Sequence, residues 1–295
     1  MKLNIVKHRK VWYAVSGILV LASLLALAVF GLKPGIDFTG GALLEVNIES
    51  KPTHVAVQEA LVSAGHEEAV VQVSEESVLV RTKHVTEEEH QQMLDVLKKA
   101  FGNVTELRFD SIGPVIGDEL RRNAFLGIAV SLLLIGAYLS WAFRGAGDFI
   151  SSKKIALLTV VKCAHDVLIS IGAYAVLGHF LGYEMDTAFV AAALTILGYS
   201  INDGVVVLDR TRENLKNRVS PHLSEVVDKA IEQTLARSIN TSVTVFLALL
   251  AVYLFGGVTT RPFALLLLVG VAVGTYSSVF IASPALVTLE KWGKK

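Results

Sequence analysis

The chain has 295 residues, 53% of them hydrophobic, and its 27 basic and 27 acidic side chains cancel to a formal net charge of +0. That apolar share is too high for an ordinary soluble domain and suits a polytopic membrane protein. The net charge by itself says nothing about partners, and the single cysteine, Cys163, rules out an intramolecular disulfide.

The amino end carries Lys2, Lys7, Arg9 and Lys10 ahead of an apolar run over 11–32. The run is too long for the core of a signal peptide and lacks a small-residue cleavage site, so residues 1–32 read as a cytoplasmic start and a retained transmembrane helix. Directly after it stands Gly35-Ile36-Asp37-Phe38-Thr39-Gly40-Gly41. The glycines imply tight backbone geometry. Asp37, with Phe38, Gly40 and Gly41, either couples an outer domain to the membrane part or simply caps a turn.

Residues 33–122 read as a small α+β domain outside the membrane. The stretch 42–48 alternates as a half-buried strand, with Leu44, Val46 and Ile48 on one face and Glu45 and Asn47 on the other. A helix over 53–64 follows, with Thr53 as its N-cap and Gly65 past its end. Two strands, 69–73 and 78–82, flank a turn. Thr86 then caps a second helix, with Glu89 completing a capping box. Its apolar stripe is Met93, Val96, Leu97 and Ala100, and Gly102 ends it. A last strand over 104–112 gives the order β-α-β-β-α-β, the ferredoxin-like arrangement.

Residues 123–295 supply five further apolar segments, 123–143, 155–180, 187–208, 239–256 and 263–289, each long enough to span about 30 Å of hydrocarbon. Arg144, Lys153 and Lys154 follow the second span, Arg210, Arg212, Lys216, Arg218 and Lys229 the fourth, and Lys291, Lys294 and Lys295 the sixth. Lysine and arginine favour the cytoplasmic side, so both termini are expected there. Within 209–238, Leu223, Val226, Val227, Ala230, Ile231 and Leu235 recur at helical steps opposite Glu225, Asp228, Lys229 and Glu232. This suits an amphipathic helix on the cytoplasmic membrane surface or one packed on a partner subunit.

Asp203 lies inside the fourth span. A carboxylate at that depth costs roughly 2.5–3.5 kcal/mol and by default marks a proton, ion or substrate path. Tyr199 shares its helix face, Asn202 adjoins it, and Gly198 and Gly204 permit close helix contact. Arg237 opens a polar stripe with Thr241 and Thr244, beside Asn240. Arg237 cannot give up its proton, but it can hold Asp203 ionised, or it can merely snorkel to the membrane surface. His165 and Asp166 fall midway along the third span, where they either extend a polar track to Asp203 or form a helix–helix hydrogen bond. Gly270 and Gly274, followed by Ser277 and Ser278, give the last span a small-residue side for close packing. No nucleophile triad, metal cluster or cofactor motif is found, so neither enzymatic activity nor a cofactor or nucleic-acid partner is expected.

These motifs together resemble the SecD/SecF family, on its SecF side. The resemblance covers essentially the whole chain and rests on GIDFTGG (35–41), SIGPVIGDEL (111–120), AHD (164–166), GYSINDGVVVLDRTREN (198–214), RSINT (237–241) and GTYSSVFIASP (274–284). Gly204 stands where Thr is commoner in the family, and Pro262 where an acidic residue is often found. The resemblance implies one six-helix half of a resistance-nodulation-division transporter, completed by SecD. It implies a proton-driven role in drawing preproteins from the SecYEG channel across the bacterial cytoplasmic membrane, with Asp203 and Arg237 as the charged pair of the proton path. Two other functions stay open on the residues alone: a proton-coupled half-transporter for a small molecule or lipid, and a scaffold without proton flow.

Overall fold

A computed structural model describes residues 4–74, 77–83, 85–144, 151–257 and 259–292. In chain order its elements are α1 (Arg9–Phe30), the single turn α2 (Ile36–Thr39), β1 (Gly41–Ile48), α3 (His54–Ser63), β2 (Val70–Val73), β3 (Val78–Thr82), α4 (Glu87–Phe101) and β4 (Val104–Ile112). The long helices α5 (Pro114–Ala142), α6 (Ser152–Leu181), α7 (Thr187–Lys216), α8 (Leu223–Phe255) and α9 (Arg261–Ser277) follow, and a π-helical turn (Ser278–Ala282) joins α9 to α10 (Ser283–Trp292). The chain divides into a helical unit and an α/β unit, the latter made of Pro34–Phe125 with Glu184–Thr187.

In the α/β unit, the strands form one antiparallel sheet in the order β2-β3-β1-β4. Leu44, Val46 and Ile48 are buried, as their alternation predicts. Glu45 is buried as well, because β1 lies inside the sheet with β3 and β4 on either side, and its carboxylate accepts from Ser77 Oγ at 2.8 Å. Thr53 caps α3, and Thr86 with Glu89 forms the full capping box on α4. The buried stripe of α4 is His90, Met93, Leu94 and Leu97, a step away from the expected one: Ala100 is exposed and Leu94 packs instead. With Val57 and Leu61 of α3 these residues close a core over one face of the sheet.

Among the described residues, six helical stretches are long and apolar enough to cross a membrane, the number expected from sequence. Over half of the most apolar part of α6, and of the stretch from α9 through α10, is buried inside the chain, against 6% for α5 and 11% for α8. The central helices meet through small residues. A Cβ on Gly270 would lie 2.3 Å from Ile196 of α7, and one on Gly172 would lie 2.3 Å from Ser23 of α1. The π turn precedes Pro284, whose missing N–H breaks the regular ladder, and Ser283 Oγ caps Ser278 O at 2.7 Å.

One expectation is corrected. Residues 223–235 form no separate surface helix: α8 runs unbroken through them into the fifth span. Nor do they need a membrane surface or another subunit to cover their apolar stripe. Leu223, Val227, Ala230 and Ile231 pack in a cluster with Val207 and Leu208 of α7, Leu286 and Val287 of α10, and Ile5 and Val6. The backbone N–H of Val6 donates to Asp228 Oδ1 at 3.0 Å, tying the amino end to α8. Periodicity reveals an apolar stripe but not what covers it.

Candidate functional site

Asp166 and Lys162 stand one turn apart on the inward face of α6, the spacing at which a lysine and a carboxylate meet. Both are buried, and Lys162 Nζ lies 3.0 Å from Asp166 Oδ2. The ammonium also donates to Ser200 O at 2.5 Å and to Ser200 Oγ at 2.7 Å, on α7. All three of its donors are thereby used. Asp166 Oδ2 further accepts from Ser200 Oγ at 2.6 Å and from Ser277 Oγ of α9 at 2.7 Å. His165 Nδ1 lies 2.8 Å from Asp166 Oδ1, while its Nε2 lies 3.0 Å from Ser16 Oγ of α1. With the proton on Nδ1, the ring donates to the carboxylate and accepts from Ser16. One ion pair thus ties together α1, α6, α7 and α9. His165 thus forms a helix–helix hydrogen bond through Ser16 while binding its neighbour Asp166.

Asp203 lies on α7 and is 3% exposed. Its contacts are sparse. Ser242 Oγ of α8 lies 3.4 Å from Asp203 Oδ2. Ser242 accepts from Tyr199 OH at 2.9 Å and sits 2.6 Å from Thr275 Oγ1 of α9, which itself donates to Val271 O. The Ser242 proton therefore has two acceptors, and the nearer is Thr275. Asp203 thus sits at the end of a hydroxyl chain crossing α7, α8 and α9, held by one long hydrogen bond among the described residues.

Tyr199 shares this face, as predicted. Asn202 does not: it is exposed. Arg237 and Asn240 are also exposed, Thr241 is half-buried, and among the described residues no ion pair joins Arg237 to Asp203. The inward face of α8 is Thr234, Ser238 and Ser242, one residue out of phase with the stripe read from sequence. Within this chain the predicted pair of Asp203 and Arg237 is not brought together. Lys162, Ser200 and Ser242 were missed as site residues, and Ser277 was read for packing alone. For Lys162 the signal existed, a lysine four residues ahead of an aspartate in an apolar helix.

The glycine-rich segment has its own geometry, all of it inside the α/β unit. Asp37 Oδ2 accepts from Thr187 N at 2.7 Å and from Thr187 Oγ1 at 2.6 Å. Thr187 is the first residue of α7, so Asp37 caps that helix from 150 residues away. Gly35 N donates to Met185 O at 2.7 Å, and Arg81 Nε lies 3.0 Å from Glu184 Oε2. The connection between α6 and α7 is clipped at three points. Phe38 is buried. Gly40 and Gly41 have φ of +73° and +138°, and a Cβ on either would come within 3.0 Å of backbone atoms, of Pro114 and Thr82 respectively. Any side chain there is excluded twice over.

Comparison with known proteins places this geometry. The C-terminal family of the protein export membrane proteins SecD/SecF matches residues 92–292, and the SecD/SecF GG motif matches residues 25–51. The protein translocase subunit SecF of Thermobaculum terrenum is 38% identical over 98% of this chain and 94% of its own length. That of Anaerolinea thermophila is 39% identical, with the same coverage. The crystal structure of SecDF, a translocon-associated membrane protein from Thermus thermophilus, superposes over the full chain with a TM-score of 0.85 at 34% identity. This chain spans 39% of that longer one.

Proposed function

The chain belongs to the SecD/SecF family of protein export membrane proteins, and from that premise we propose that it is a SecF-type accessory subunit of the Sec export machinery. It sits in the bacterial cytoplasmic membrane with both termini inside. It works with a SecD subunit beside the SecYEG channel, acts on preproteins and draws on the proton-motive force. Its α/β unit, with the sheet order β2-β3-β1-β4, is read as a ferredoxin-like domain between the first two spans.

The observation that carries the proton reading is the state of Asp203. A buried carboxyl held by one 3.4 Å hydrogen bond has few contacts to break when it takes up or gives up a proton. Rearrangement of Ser242 between Thr275 and Asp203 gives the helices two hydrogen-bond patterns to choose between. One charge crossing 100 mV releases about 2.3 kcal/mol, enough to bias such a choice. The partner is supported by the faces left open. Thr195, Gly198 and Asn202 of α7, and Arg237, Asn240 and Thr244 of α8, are exposed on segments read as membrane-spanning. Small and polar residues facing lipid are costly, whereas against a second set of helices they pack closely and find hydrogen bonds. Arg237 then takes its place in the proton path only in the assembled pair.

The test is export into vesicles containing the complete complex, under a proton gradient. Asp203→Asn leaves the complex assembled and abolishes the gradient-dependent part of export. Unchanged export by Asp203→Asn, or dependence on this subunit that persists in full with an uncoupler, would leave a scaffold and no proton role.

A further inference from the structure

Lys162 is more than the counter-ion its bond to Asp166 suggests. Its alkyl chain crosses α7 at Gly204, where a Cβ would come 3.8 Å from Lys162 Cε, in ordinary contact. Its ammonium is fixed on Ser200, one turn before Asp203 on the same helix face. The chain thus brings a lysine ammonium from α6 to the turn of α7 that carries Asp203. Arg237, by contrast, is exposed and faces away from this interior. Among the described residues, Ser242 of α8 contacts Asp203 and links it to Tyr199 of α7 and Thr275 of α9, while Asp166, Cys163 and His165 of α6 cluster about Lys162 and Ser200.

We infer that Lys162 is a positioning residue for the proton site: its ammonium, locked between α6 and α7, is the fixed positive charge against which Asp203 takes up and releases its proton. A lysine serves here because all three of its N–H bonds are taken up by protein oxygens, which fixes where the ammonium lies. The inference rests on Asp203 being the exchanging group. It assigns to a residue within this chain the part that the family resemblance gives to Arg237 alone.

The discriminating experiment labels the full-length chain in lipid vesicles with dicyclohexylcarbodiimide, which reacts with protonated buried carboxyls, and maps the modified peptide by mass spectrometry. Lys162→Met in combination with Asp166→Asn removes both charges and leaves neither stranded. A counter-ion to Asp166 alone predicts that this double variant labels Asp203 as the unaltered chain does. A charge serving Asp203 predicts about tenfold more Asp203 labelling at neutral pH, the change that goes with one pKa unit. Lys162→Arg keeps the charge and keeps labelling low. Lys162→Gln with Asp166→Asn, which retains donors for Ser200 without either charge, gives the same readout and replaces the first double variant if that fails to fold. Unchanged labelling in the charge-free variants overturns this inference and leaves the proton role of Asp203 standing. Raised labelling with undiminished gradient-driven export, measured in the complete complex, overturns the proton role of Asp203 and leaves the placement of Lys162 standing.

Discussion

Asp166 and Asp203 are buried to almost the same degree, at 0% and 3% exposure, yet among the described residues the first carboxylate accepts four hydrogen bonds and the second accepts one, at 3.4 Å. Burial alone therefore does not mark the working residue. A carboxylate saturated by an ammonium, two serines and a histidine is a joint between helices, costly to break and with little reason to titrate. A carboxylate with unused acceptor capacity has room to change state. The sequence ranks Asp203 ahead of Asp166 on depth and family motif; the oxygens around the two acids show how their roles differ.

The comparison breaks first at Asp166. Asp166→Ala strands the Lys162 ammonium in the interior and is expected to cost about 3–5 kcal/mol, read as a fall in the unfolding midpoint of the detergent-solubilised chain. A loss below about 1 kcal/mol would mean that the pair is not the joint described. Gly270→Leu should come next, at about 1–3 kcal/mol, because its side chain must displace Ile196. Asp37→Ala removes the cap on α7 and should cost about 1 kcal/mol, with faster hydrogen exchange at the first turn of that helix as the specific sign. Asp203→Asn sits at the far end. Its cost to stability should stay below about 0.5 kcal/mol, since one long hydrogen bond is its attachment, while gradient-driven export is lost. A large drop in stability with Asp203→Asn would erase the distinction between joint and working acid.

Much of the fold was legible because it obeys local rules. The edges of β3 and β4, the capping box at Thr86 and Glu89, and the number of spans all follow from patterns within a few residues. What was illegible depends on covering partners distant in the chain. The stripe at 223–235 is covered by α7, α10 and the amino end, which periodicity cannot announce. The phase of α8 was misjudged because Arg237 drew the eye to its own face, while the serines that turn inward carry no charge. Asp37 was read as either a domain coupler or a turn cap, and it caps a helix that begins 150 residues later. Asp203 was found from cost alone, but its looseness, which distinguishes it from Asp166, lies in contacts that no spacing encodes.

The unbroken course of α8 has a mechanical consequence. Its 33 residues make a rod of roughly 50 Å, well beyond the hydrocarbon thickness. One end is anchored through Asp228 to the amino-terminal segment, and Ser242, the hydroxyl nearest Asp203, sits farther along the same shaft. With no hinge between them, a pull or tilt applied at the anchored end reaches the acid as a lever stroke.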